Sequence, residues 1–169
     1  RAVKLDTNRN IYLVTEEYSG YSSSWDDRYN TQTGYKTGIN NYSTSRLKDF
    51  LDEIYNDTKK DERTFTDSDR AKLSRFDVCI GKKDANSKIN NNSIECQTTE
   101  KSQILGVLTL SDFINASVDP NCTSGASISC QNYNYLVTDY KWWTSTPVAN
   151  TTSHAYSITG EGTIKKSLC

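Results

Sequence analysis

The chain has 169 residues, a formal net charge of −1 and a mean hydropathy of −0.74, and 34% of its residues are hydrophobic. This length predicts one domain, spanning residues 1–169, and the 11% of aromatic residues argues against a disordered chain. Basic residues scattered among acidic ones exclude the charge pattern of a nucleic-acid-binding protein, and no run of about 18 apolar residues predicts insertion into a membrane.

The N-terminal region is predicted to form a β-hairpin followed by a long loop. AVKL and IYLVT are apolar segments separated by the turn-forming residues DTNRN, which is typical of a hairpin. From Ser19 to Ser43 the sequence is polar and aromatic and has neither a helical nor a strand period. A loop of this length is either functional or packed onto the domain by its aromatic side chains, here Tyr21, Trp25, Tyr29 and Tyr35.

Two helices are predicted next. A first helix at about residues 44–56 is indicated by apolar residues at helical spacing, namely Leu47, Phe50, Leu51, Ile54 and Tyr55. Its acidic residues Asp49, Asp52 and Glu53 lie opposite or beside this stripe, which favours a solvated face over an acid–base or calcium site. Thr66 and Asp69 have the spacing of a capping box, which predicts a short second helix ending near Phe76.

The second half is predicted to be rich in short strands. ILGVLTL, residues 104–110, predicts a buried strand, after which Thr109 or Ser111 caps a short helix through DFINAS. Four further strands are predicted in NYNYLV, KWWTST, AYSIT and GTIKKSL. The segment TGEG, between the last two of them, predicts a tight turn.

The cysteines indicate the compartment. Cys79 and Cys96 flank one polar loop, Cys122 and Cys130 flank another, and we predict that each pair closes its loop as a disulfide. Cys169 is left over, with its partner either in sequence outside this chain or in competition for Cys130. Disulfides predict an oxidising environment, and therefore a secreted or cell-surface protein.

We predict no metal, no cofactor and no catalytic residue. A metal site at the cysteines is disfavoured because no two of them have C-x2-C spacing and the sole histidine, His154, lies far from them in sequence. Ser153 stands beside His154, but a lone surface histidine is far commoner than a catalytic dyad.

Aromatic and amide residues between positions 132 and 143 are the candidate ligand-binding residues. Trp142 and Trp143 are adjacent, so in a strand one enters the core while the other faces outward or lies beneath a loop. Packing is favoured for both, and the alternative is a flat aromatic patch for a sugar face or a protein. Turn formation is favoured for the two asparagines, with ligand contact as the alternative. The candidates are Asn132, Tyr133, Asn134, Tyr135, Tyr140, Trp142 and Trp143.

The order of several segments carries a resemblance that spans nearly the whole chain. These segments are AVKLDTNRNIYLV, NNYSTSRLKDFLDEIYN, RTFTDSDRAKLSRF, ILGVLTLSDFINAS, CQNYNYLVTDYKWWTSTP and AYSITGEGTIKKS. In this order they resemble bacterial surface proteins, frequent in Firmicutes, that have a C-type-lectin-like fold distantly similar to the formylglycine-generating enzymes. Members of that group usually open with a tryptophan before the first strand and close with a strand resembling RPVI. This chain has neither, which predicts that it is trimmed at both ends.

The resemblance implies an α+β fold: a twisted, mostly antiparallel sheet with two or three short helices and long loops. No segment matches the calcium and sugar site of true C-type lectins. We therefore expect a non-catalytic binding or adhesion domain for an external protein ligand, with a glycan-binding lectin as the alternative. A formylglycine-generating-type enzyme is disfavoured because it would need free, reactive cysteines. The Asn-rich stretch 132–150 fits diversification by a retroelement, which would make this a hypervariable protein, and equally fits an AT-rich genome.

Overall fold

The computed structural model of the chain describes residues 2–5, 11–14, 24–56 and 65–169. Within these ranges it combines short helices with antiparallel strand pairs, in agreement with the predicted α+β class. The strands are β1 (Ala2–Leu5), β2 (Ile11–Leu13), β3 (Phe76–Cys79), β4 (Thr99–Gln103), β5 (Trp142–Pro147), β6 (His154–Ile158) and β7 (Ile164–Leu168). The α-helices are α1 (Arg46–Tyr55), α2 (Asp67–Arg70) and α3 (Leu110–Asn115).

The strands form three small sheets, with the orders β1-β2, β3-β4 and β5-β6-β7. The β1-β2 pair confirms the predicted hairpin, although its turn lies outside the described residues. The β5-β6-β7 sheet confirms three of the predicted strands. Its second connection is the predicted tight turn, in which the Gly162 amide donates to the Thr159 carbonyl at 2.9 Å. Gly162 has a φ of +79°, a conformation that glycine adopts without steric cost.

Each α-helix begins at a capping residue, and the caps Thr66 and Thr109 are predicted ones. The Ser45 hydroxyl accepts from the Lys48 amide at the start of α1, and Thr109 forms a capping box with Asp112 at the start of α3. The capping box between Thr66 and Asp69 is also present, but α2 ends at Arg70 instead of continuing towards Phe76. None of its four residues is buried, so no apolar face stabilises a longer helix, and Phe76 instead begins β3.

Two strand predictions are wrong. The segment 104–110 forms no strand, and its apolar side chains instead pack in opposite directions, with Val107 and Leu108 against two different cores. The segment 132–137 consists of turns, because Tyr133 has a φ of +49° and the Asn134 side chain accepts from the Leu136 amide.

The β5-β6-β7 sheet lies between two hydrophobic cores. The first core contains α3 and the loop closed by Cys122 and Cys130, and it receives Tyr156 and Ile158 from β6. The second core contains Trp25, Tyr42, Leu47, Val78 and Cys169, and it receives Ala155 from β6. Because successive residues of a strand point to opposite faces, this alternation buries both sides of the sheet. Among the described residues, no helix has the length and apolarity needed to cross a lipid bilayer.

The structure contains both predicted disulfides, Cys79–Cys96 and Cys122–Cys130. Cys169 has a free thiol and is buried in the second core, so it does not compete for Cys130. Burial, and secondarily the charge of Asp26, raise the pKa of the Cys169 thiol to about 12.

Candidate functional site

Trp142 and Trp143 point to opposite faces of the sheet, as predicted for neighbours in a strand. Trp142 packs against the first core, where its ring meets the ring of Phe113 edge to face at a centroid distance of 5.9 Å. Trp143 packs against the second core, and the ammonium group of Lys141 lies 4.6 Å from its ring centroid. Both tryptophans are half-buried, so the contacts favour packing over ligand contact for both.

The two candidate asparagines hold turns together. Asn134 is buried, and its amide nitrogen donates to the carbonyls of Phe113 and Cys130, both at 2.8 Å. Asn132 is exposed, and its amide donates to the Asp119 carboxylate at 2.7 Å. This hydrogen bond, with a second from the Asn121 backbone, lowers the pKa of Asp119. These contacts support the turn-forming interpretation of both residues.

The three candidate tyrosines, Tyr133, Tyr135 and Tyr140, are all exposed. Tyr133 is the most exposed of them, at 82%, and it occupies the left-handed backbone region that few non-glycine residues adopt. Its neighbours hold this conformation, since Asn134 is anchored to α3 and the Asn132 carbonyl accepts from the Ser117 hydroxyl at 2.7 Å. The side chain is therefore projected into solvent from a fixed turn.

Tyr133 lies just after the loop that the Cys122–Cys130 disulfide closes, in a segment, residues 117–134, that we call the lobe. An antiparallel bridge between Ser117 and Asn134 places Val118 and Tyr133 opposite one another. Val118 is 74% exposed, and Ile128, also on the lobe, is 79% exposed. We call Val118, Ile128 and Tyr133 the Tyr133 surface. The two aliphatic residues were not predicted, because the candidates were chosen as aromatic and amide residues. Ile128, an apolar residue inside a polar, disulfide-closed loop, could have been found from the sequence.

Lys83, Glu95 and Ser111 form a fully buried ionic cluster that was not predicted from the sequence. The Lys83 ammonium lies 3.5 Å from the Glu95 carboxylate and donates hydrogen bonds to the Ile89 carbonyl and the Ser111 hydroxyl. Glu95 also accepts from the amide and hydroxyl of Ser111, at 3.1 and 2.8 Å. Lys83, Glu95 and Ser111 are each fully buried, so a substrate has no access to them. The cluster fixes the loop between Cys79 and Cys96 onto α3, and nothing in the sequence GKKD distinguishes buried Lys83 from exposed Lys82.

The described ranges hold no group of three or more His, Cys, Asp or Glu side chains that could bind a metal ion. His154 begins β6, and its Nδ1 lies 3.2 Å from the hydroxyl of the preceding residue, Ser153.

No protein-family model, curated protein or solved structure matches the chain.

Proposed function

We propose that this protein is an extracellular, non-catalytic binding domain of C-type-lectin-like fold that is displayed on a bacterial surface. Its partner is an external protein, which it contacts through the Tyr133 surface. The exposure of Tyr133 on a fixed turn carries this proposal, because a rigid aromatic side chain loses little conformational entropy on binding.

The disulfides and the loops support an extracellular domain of this fold. Cys79–Cys96 and Cys122–Cys130 each close an irregular loop, and such bonds persist in oxidising compartments. An antiparallel three-stranded sheet, short helices beside it and a long loop at 24–41 are the features that the sequence resemblance leads us to expect.

A protein partner is favoured over a glycan by the composition of the Tyr133 surface. Val118 and Ile128 are exposed aliphatic side chains on the same lobe as the tyrosine, and such residues are typical of the apolar centre of a protein interface. A glycan remains the second candidate because a tyrosine ring can stack on a sugar face. Binding to a glycan array, measured in calcium and again in chelator, distinguishes the two, since a protein-binding domain gives no signal in either condition.

Replacing Tyr133 with serine is expected to weaken binding to the protein partner by about 30-fold or more, the effect of losing an aromatic hot spot. The probe is an array of purified secreted and cell-surface proteins, followed by titration of each protein that binds. Tyr35→Ser is the matched control, because Tyr35 is 71% exposed but lies on the loop 24–41. The proposal is contradicted if both variants lose the same affinity for the partner, or if Tyr133→Ser loses none.

Thiol titration tests the alternative of a formylglycine-generating-type enzyme. Because the pKa of Cys169 is raised to about 12, its thiol is neutral and unreactive at pH 8, where an ordinary cysteine is substantially ionised. We expect no thiol to react with Ellman's reagent in the folded protein and one per chain to react after denaturation. A rapidly reacting thiol in the folded protein would instead favour the enzyme.

A further inference from the structure

An open cleft of about 600 Å³ lies between the loop 24–41 and the loop closed by Cys79 and Cys96. Residues 30–32 and 39–42 line it on one side, and residues 80–82 and 94, 97 and 98 line it on the other. It shares no residue with the Tyr133 surface and is therefore a separate candidate site. Its volume is within the range of sites that bind small molecules or short peptide segments.

The first wall of the cleft is held in place by two buried asparagines. The Asn40 side-chain amide donates to the carbonyls of Thr151 and His154, both at 3.0 Å. The Asn30 amide donates to the carbonyls of Gly38 and Thr152 at 2.6 and 3.2 Å. These bonds join the loop 24–41 to the connection between β5 and β6.

The second wall is held by covalent and backbone bonds. Cys79–Cys96 closes it, and the Ile80 and Gly81 amides donate to the Thr98 and Glu95 carbonyls at 2.9 and 2.7 Å. The fully buried Glu95 side chain anchors the same loop to α3. Since both walls are fixed without a ligand, binding here costs little reorganisation.

The chemistry of the lining is that of uncharged amides beside aliphatic side chains. Gln32, Asn41 and Gln97 are exposed, and their side-chain amides make no hydrogen bond to the described residues. Two isoleucines with accessible side chains, Ile39 and Ile94, also line the cleft. Among the described residues, the lining contains no carboxylate and one charged residue, Lys82, whose ammonium donates to the Thr151 carbonyl.

We propose that this cleft binds an extended, uncharged peptide segment of a partner protein. A side-chain amide carries a donor and an acceptor in one plane, and a peptide unit of an extended strand offers the complementary pair. The isoleucines provide contacts for the side chains of that peptide. A glycan is disfavoured because Tyr42, the aromatic residue among the described lining residues, is buried and presents no ring face for sugar stacking. The proposal does not depend on the function assigned to the Tyr133 surface.

The test uses the full chain with its disulfides intact and a displayed library of linear, cysteine-free dodecapeptides. Enriched peptides without charged residues are synthesised with both ends blocked, and their affinity is measured by calorimetry. We expect Gln97→Ala and Asn41→Ala each to weaken binding about fivefold to tenfold, the loss of one or two hydrogen bonds. Asn115→Ala removes an exposed amide outside the cleft and is expected to leave binding unchanged.

Other outcomes overturn the proposal. The proposal is overturned if the library yields no uncharged peptide. It is also overturned if the enriched peptides bind Gln97→Ala and Asn41→Ala as tightly as they bind the original chain. If the enriched peptides lose binding only to the Tyr133→Ser variant, the function of the Tyr133 surface is supported and that of the cleft is overturned. Inhibition of the enriched peptides by neutral oligosaccharides would reassign the cleft to a glycan.

Discussion

Lys83→Met is expected to lower the free energy of unfolding by about 3–5 kcal/mol, because it leaves the Glu95 carboxylate buried without its cation. Lys83 and Glu95 are both fully buried, and Lys83 also provides hydrogen bonds to Ser111 and Ile89. Methionine fills a similar volume, so the loss arises from charge and hydrogen bonding and not from a cavity. Urea denaturation with the disulfides intact measures this effect.

Two further variants identify the cause of the loss. Lys82→Met removes the neighbouring but exposed lysine and is expected to change stability by no more than about 0.5 kcal/mol. The double variant Lys83→Met/Glu95→Leu removes both charges and is expected to be more stable than Lys83→Met alone. If Lys83→Met were as stable as Lys82→Met, the Lys83–Glu95 pair would be hydrated and other contacts would hold the loop between Cys79 and Cys96.

Trp25→Ala is expected to cost about 3–5 kcal/mol of stability, the usual loss when a large buried aromatic side chain is removed. Trp25 is fully buried in the second core, where it packs edge to face on Tyr42 at a centroid distance of 6.2 Å. Its indole nitrogen donates to the Thr144 carbonyl of β5 at 3.0 Å. The side chain therefore attaches the loop 24–41 to β5, and its removal also loosens one wall of the cleft.

Trp25→Phe separates the packing of this residue from its hydrogen bond. It keeps an aromatic ring but removes the hydrogen bond to the Thr144 carbonyl, so an intermediate loss of stability is expected. Tyr29→Ala is the control on the same loop, because Tyr29 is exposed and its removal is expected to change stability by no more than about 0.5 kcal/mol. If Trp25→Ala were as stable as Tyr29→Ala, the loop would not depend on its aromatic anchor.

The sequence alone determined those elements whose signals are local. The spacing of Leu47, Phe50 and Leu51 predicted α1, and Thr109, one of two predicted caps, begins α3. Both disulfides join the ends of short loops, so their pairing was also readable from spacing. For the candidate site, the sequence indicated the tyrosines and the opposite directions of Trp142 and Trp143, since adjacent residues in a strand alternate.

Only the tertiary structure decided features that depend on distant parts of the chain. β4 is polar, with the sequence TEKSQ, and it becomes a strand because β3 pairs with it beside the Cys79–Cys96 disulfide. The segment 104–110 is apolar because it lies between two cores, and an apolar run looks the same in a strand and in an irregular buried segment. Lys83 is buried because Glu95 and Ser111 provide an ion pair and a hydrogen bond to its ammonium group. From the sequence alone it is indistinguishable from a surface lysine. Burial and long-range pairing arise from contacts between residues far apart in the sequence, and no local pattern encodes them.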